Sequence, residues 1–273
     1  MFPFKLFQEP EHAPFLFEAG KPASLLVHGF PGTPAEMRPL GKALNQAGWT
    51  VQGLLLPGFG SEINRLGDYR MEDWTAAVVQ ALEALKKDHA PVLLVGYSLG
   101  GGLALAASAR NKPDALILLA PFWKTTGWFW SAMPLIKMII PKIRPFKVFR
   151  MNLSDPRTHQ ALGNFMPDAD LDDPQVQSAM RDFKFPLRIM DEVRQVGQAA
   201  CKVASRLTIP SLVVQGSTDD WVTTRATRQL LQVLPGPLTY VEVPAAHDLL
   251  DSNKPAWERV VESVLGFIKN YSE

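Results

Sequence analysis

Cysteine is nearly absent: Cys201 is the only one in 273 residues. An internal disulfide is therefore excluded, and the fold cannot depend on one. Set in GQAACKVASRL, Cys201 reads as a packed or idle thiol on a helix face rather than a nucleophile. An excess of one charge is also missing. There are 28 basic and 27 acidic residues, for a net charge of +1. That removes any electrostatic case for nucleic acid or for a strongly acidic partner. No uninterrupted apolar run reaches the roughly 18 residues of a membrane span. The N-terminal MFPFKLFQEPEHAPF is broken by prolines and charges before it could serve as a signal-peptide core. The expectation is a soluble, cytoplasmic protein. Clustered His, Cys and Asp ligands are lacking, as is a phosphate-cradling glycine loop, so no metal and no cofactor are expected. Repeats and low-complexity tracts are lacking too.

What is present is 47% hydrophobic and 20% charged residues, enough to bury a real core. Strand-like and helix-like segments alternate. Strands are predicted at 24–27, 50–56, 92–95, 115–119, 209–214 and 238–243. Helices are predicted at 34–47, 71–87, 98–109, 225–233 and 255–269. The clearest is 71–87, where Trp74, Ala77, Val78, Ala81, Leu82 and Leu85 share one face. Strict alternation implies a parallel sheet covered on both sides, an α/β fold. Residues 122–207 break the pattern, with many prolines and no clean strand. They read as a helical cap inserted into a core made of 1–121 and 208–273.

In such sheets functional groups collect at the carboxyl ends of the strands. LLVGYSLGGGLALAA places Ser98 there, between a strand and a helix. Gly96 and Gly100 complete a G-x-S-x-G elbow, where a sharp turn presents an exposed hydroxyl and leaves no room for side chains two positions away. The helix N-terminus favours developing negative charge. A serine hydroxyl needs a base. Among five histidines, His247 in PAAHDLLD follows a late strand and is the candidate. His12, His89 and His159 lack such a setting, and His28 reads as a structural loop residue. The base needs an acid to orient it. GSTDDWV follows the preceding strand and offers Asp219, favoured, with Asp220 as the fallback. Asp248 and Asp251 lie too near His247 in sequence. An oxyanion would need backbone donors. Leu99, after the serine, supplies one. Phe30, after His28 and Gly29 in VHGFPGTP, supplies the other, and Gly29 permits the tight turn.

With these segments in place, the chain resembles the α/β-hydrolase superfamily, and within it the small bacterial carboxylesterases and monoacylglycerol lipases. The likeness covers residues 14–121 and 208–270. It is carried by FLFEAGKPASLLVHGFPGTPAEMRPLGKAL, GYSLGG and HDLLD. It implies a Ser-Asp-His hydrolase more specifically than it implies a substrate. One departure is visible. Relatives often carry Pro-Gly-His-Gly where this chain has Pro57-Gly58-Phe59-Gly60, which puts any pocket-shaping role of that histidine in doubt.

The cap contains GWFWSAMPLIKMIIPKIRPFKVFR (127–150), the most apolar stretch, in which Lys142, Arg144, Lys147 and Arg150 follow the apolar residues. It reads as a helix lining an acyl pocket, or as a lid that touches a lipid interface transiently. The leading expectation is a serine hydrolase of hydrophobic carboxylic esters, with a small-molecule acyl ester as partner and no obligate protein partner. The alternatives are the same site used for acyl transfer, thioester or C–C bond hydrolysis, and a non-catalytic carrier of hydrophobic ligands. The carrier would be expected to lack a member of the Ser-Asp-His set. Haloalkane dehalogenation is disfavoured, because it needs a carboxylate at the position of Ser98.

Overall fold

The computed structural model describes residues 6–125, 127–148, 152, 155, 158 and 170–271. His159 and Arg150 lie outside the described residues. Seven strands form one sheet: β1 (Phe15–Phe17), β2 (Ala23–Val27), β3 (Thr50–Leu54), β4 (Val92–Tyr97), β5 (Ala115–Leu119), β8 (Ser211–Gly216) and β9 (Leu238–Val243). Their order is β1-β3-β2-β4-β5-β8-β9. All neighbours are parallel except β1, which runs antiparallel to β3. This is an α/β-hydrolase arrangement.

Side-chain alternation makes the central strands apolar on both faces. Leu94, Leu116, Leu118 and Val213 look into one core, with α2 (Met71–Asp88), α3 (Leu99–Ser108) and the helix Thr224–Val233. Leu93, Val95, Ile117 and Val214 look into the other, with α1 (Pro34–Gln46) and the closing helix Trp257–Ile268. α1 starts where Thr33 caps it, the hydroxyl accepting the Ala35 N–H, and Pro34 takes the first position, where no N–H is needed.

Two strand features differ from the sequence pattern. β1 is a three-residue edge strand, too short for alternation to show. In 122–207, a two-residue ribbon pairs β6 (Lys142–Ile143) with β7 (Phe185–Pro186). The first helix of that segment, α4 (Trp128–Ile139), buries Met133 and leaves Trp128, Leu135, Met138 and Ile139 exposed. The helix Leu187–Ala204 packs against α3, and its Val193, Val196 and Ala200 belong to the same core as the sheet. Its Asp191 joins α4 through Lys137 (2.5 Å) and also binds Arg194 (2.7 Å). Glu192 accepts the Met71 N–H at the start of α2 (2.9 Å). Cys201 is exposed on this helix.

Candidate active site

β4 runs straight into α3 with one residue between them. That residue is Ser98, held at φ 51° and ψ −116°, a left-handed φ that a non-glycine residue rarely adopts. Its N–H is tied to the Leu119 carbonyl of β5, and its own carbonyl accepts from Gly101 and Phe122. The flanking glycines have steric reasons. A Cβ on Gly96 would lie 2.3 Å from the Gly100 carbonyl oxygen. One on Gly100 would lie 2.2 Å from the Val27 oxygen and 2.6 Å from that of His28. α3 can therefore press against the end of β2 only because residue 100 has no side chain.

His247 lies in the loop after β9. Its Nε2 is 2.8 Å from Ser98 Oγ and its Nδ1 is 2.7 Å from Asp219 Oδ2. The three side chains thus form one continuous hydrogen-bonded chain, drawn from the carboxyl ends of β4, β8 and β9. Asp219 is buried and its carboxylate is fully engaged. Oδ1 accepts the Trp221 and Val222 N–H groups at 2.9 Å each, and Oδ2 also accepts from Gln215 Nε2 at 3.2 Å. Asp220 is exposed. With both oxygens fixed by donors, the carboxylate can hold one imidazole tautomer, with the proton on Nδ1 and the lone pair of Nε2 aimed at the serine.

Leu99 is the first residue of α3, so its N–H is one of the four that have no partner within the helix. Phe30 sits in the loop between β2 and α1, its ring edge-on to Phe59 at 6.1 Å. A Cβ on Gly29 would lie 3.2 Å from Ser98 Cβ, so this loop passes directly beside the serine. His28 is fully buried. Its Nδ1 bonds the Gly29 carbonyl (2.8 Å) and its Nε2 accepts the Leu56 N–H (3.2 Å), and burial pushes its pKa down to about 4. Phe59, which stands where relatives often have histidine, is buried edge-on between His28 (5.0 Å) and Trp74 (5.5 Å). His12 bonds Thr33 and His89 bonds the Lys21 carbonyl, both away from Ser98.

Several residues around this site were not picked out by pattern. Tyr97 stacks on the His247 ring (5.3 Å) and its hydroxyl donates to the His247 carbonyl. Burial raises the pKa of that phenol, so it stays neutral. Trp221 is also stacked near the imidazole, at 6.3 Å, and is 85% exposed. Gln215 is buried and also receives a hydrogen bond from Thr227 (2.6 Å). Only Gln215 left a trace in sequence, as a lone amide ending the apolar strand SLVVQG.

Fold and site geometry together define an α/β-hydrolase. The chain belongs to the family described as "Serine aminopeptidase, S33", whose profile matches residues 20–250. It is 40% identical over 101 residues to a thermostable monoacylglycerol lipase of Bacillus sp. (strain H-257), a stretch that is 37% of this chain and 40% of that lipase. It is 25% identical over 221 residues to a carboxylesterase of Bacillus subtilis (strain 168), 78% of each chain. Among solved structures, one described as "LipS and LipT, two metagenome-derived lipolytic enzymes increase the diversity of known lipase and esterase families" gives a TM-score of 0.75 at 19% identity, covering 96% of this chain and 99% of that one. The Paleococcus ferrophilus monoacylglycerol lipase gives 0.69 at 20% identity, covering 95% and 99%. These structural likenesses concern the fold. Among the described residues, no helix is long and apolar enough to cross a membrane, and no group of His, Cys, Asp or Glu is placed to hold a metal ion.

Proposed function

We propose that the protein is a carboxylic ester hydrolase for esters with hydrophobic acyl groups, monoacylglycerols among them. The observation that carries this reading is the Ser98–His247–Asp219 hydrogen-bonded chain at the strained strand-to-helix turn. His247 Nε2 takes the Ser98 proton as Oγ attacks the ester carbonyl. The N–H groups of Leu99 and Phe30 hold the oxyanion. His247, now an imidazolium stabilised by Asp219, returns the proton to the departing alcohol. A water then repeats the sequence on the acyl-enzyme. Ester bonds are favoured over amides by the names of the two bacterial relatives, although the family's description is that of a peptidase.

Residues 122–207 act in this reading as the cap, with 1–121 and 208–273 as the core. The helix Leu187–Ala204 anchors the cap on α3, while α4 offers Trp128 (78% exposed), Met138 and Ile139 to a lipid surface. Lys142 and Arg144 stand beside that face, where cations meet headgroups. Lys147 is less available, being paired with Asp182 at 3.1 Å. A cytoplasmic location belongs to the same reading, supported by a fold that needs no disulfide.

The test is a p-nitrophenyl ester series from acetyl to palmitoyl, run beside monoacylglycerols, acyl-thioesters and an aminoacyl anilide, with and without a serine-directed fluorophosphonate. Ester turnover abolished by the probe, with a medium or long chain preferred, is the expected result. Thioester preference, or labelling of Ser98 without ester turnover, would move the reading to the other acyl chemistries. No labelling of Ser98 would leave a ligand carrier.

A further inference from the structure

One titratable side chain beside the site has no part in the chemistry above. Glu36 lies in the first turn of α1, three residues after the capping Thr33. A glutamate there commonly reaches back to its own cap. Glu36 reaches further. Its Oε1 accepts the Gly29 N–H at 2.5 Å, and a Cβ on Gly32 would lie 2.5 Å from its Oε2. The carboxyl group therefore fills the inner side of the loop from His28 to Gly32. A Cβ on Gly29 would lie 3.3 Å from Glu36 Oε1 and 3.2 Å from Ser98 Cβ, so Gly29 stands between the carboxyl group and the nucleophile. The Phe30 nitrogen is one peptide unit beyond, within about 6 Å of Oε1 by covalent geometry.

We propose that Glu36 is a positioning residue for the hydrolytic reaction: it holds the Phe30 donor in place through the Gly29 N–H, and its own ionisation weakens the site for the oxyanion. This rests on the reading of Ser98 as nucleophile and of Phe30 as an oxyanion donor. The bond to Gly29 needs only an acceptor oxygen, which the acid and the carboxylate both provide. What differs between the two forms is charge. A carboxylate this near opposes a second negative charge on the substrate oxygen. Burial pushes the Glu36 pKa up to about 7, against the pull of the Gly29 N–H. The other titratable groups around this region are Tyr97 from β4, His28 from the loop, His12 against the capping Thr33, His247 across Ser98, and Asp219 and Asp248, whose charges act with that of Glu36 on the Tyr97 phenol. Tyr97 stays neutral and His28 has lost its proton well below pH 6. His247 acts as the base only in its neutral form, so losing a proton there cannot produce a fall at high pH. Arg38, on the same helix, turns away to the carbonyls of Pro10, Glu11 and Ala13.

The experiment follows kcat and KM for p-nitrophenyl butyrate from pH 5 to 9 in the wild type, Glu36→Gln and Glu36→Ala, with thermal unfolding and fluorophosphonate titration of Ser98 alongside. The wild-type kcat is expected to fall at least threefold between pH 7 and 9. Glu36→Gln keeps the acceptor without the charge, so its profile stays flat to pH 9. Glu36→Ala loses the acceptor, and its kcat falls tenfold or more at every pH while KM stays within about twofold. Stability gives a second readout. The unfolded chain ionises this glutamate near its ordinary 4.5 and the folded chain near 7, so wild-type stability declines as pH rises through that window and stays lower above it. The Tm advantage of Glu36→Gln is then largest above pH 7. A Gln profile with the wild-type alkaline fall, or an Ala variant with wild-type kcat, overturns the proposal. If Glu36→Ala does not fold, the near-isosteric Gln variant decides alone. Ester turnover that survives Ser98→Ala would instead overturn the reading of Ser98, whatever Glu36 does.

Discussion

His28 and His247 both follow a strand at the same end of the sheet, the first after β2 and the second after β9. His28 is sealed in, with one nitrogen on the Gly29 carbonyl and the other on the Leu56 N–H. Its proton is fixed by backbone on both sides, and burial keeps the ring neutral. His247 keeps a 22% exposed side chain, sets one nitrogen on a carboxylate and points the other at a hydroxyl. In the proposed reading, the same ring is inert where its partners are amides and poised where they are an acid and an alcohol. Position in the fold does not separate the two; the hydrogen-bond partners do.

The largest expected effect would come from His247→Ala, which should lower kcat by on the order of 10^4 to 10^6 with the fold intact by circular dichroism. A loss below about tenfold would erase the distinction. Next comes the acid that makes His247 differ from His28. Asp219→Asn should cost on the order of 10^4 in kcat, because the amide can favour the wrong tautomer, while Asp220→Asn stays within about twofold. The reverse result would reassign the acid. The smallest effect on rate is expected at His28. His28→Leu leaves the Leu56 N–H and the Gly29 carbonyl unpaired, at a cost of about 1–3 kcal/mol in unfolding free energy by denaturant titration. Its kcat should fall by no more than about tenfold. A kcat loss matching that of His247→Ala, in a folded variant, would make His28 a second reactive histidine.

Local features were the legible ones. The turn at Ser98 could be read because its physics is confined to a few residues: an apolar strand, glycines where side chains would collide, and an alanine-rich helix. His247 and Asp219 are legible as candidates because each lies in a loop after a strand of the sheet, and the spacing after Gly216 favours Asp219 over Asp220 as the proposed acid. Other features depend on contacts between distant segments. β1 is three residues long and gains its identity from pairing with β3. The ribbon of β6 (Lys142–Ile143) and β7 (Phe185–Pro186) joins two parts of the 122–207 segment that local pattern cannot connect. Glu36 looks like an ordinary first-turn acid until the loop before α1 folds back over it. Tyr97 occupies the free position of the G-x-S-x-G motif, and Trp221 resembles any surface aromatic, yet both stack against the His247 ring.

The missing side chain at Gly100 has a consequence for how such an enzyme can diversify. Because α3 sits directly against the Val27 and His28 carbonyls, and Gly29 against Ser98, the start of α3 and the loop bearing Phe30 are locked as one block. A side chain at Gly96 or Gly100 would meet backbone, and one at Gly29 or Gly32 would meet Ser98, Tyr97 or Glu36. The segment that begins at Phe122 is constrained differently. It is joined to the block where the Phe122 N–H meets the Ser98 carbonyl, and beyond that junction α4 turns most of its large apolar side chains to the outside. In the proposed reading, changes there resize what is admitted while the spacing between Ser98 and the Leu99 and Phe30 N–H groups stays put. The molecule is thus divided into a part where mutation is nearly always costly and a part where it is cheap, and new substrate ranges should arise from the second.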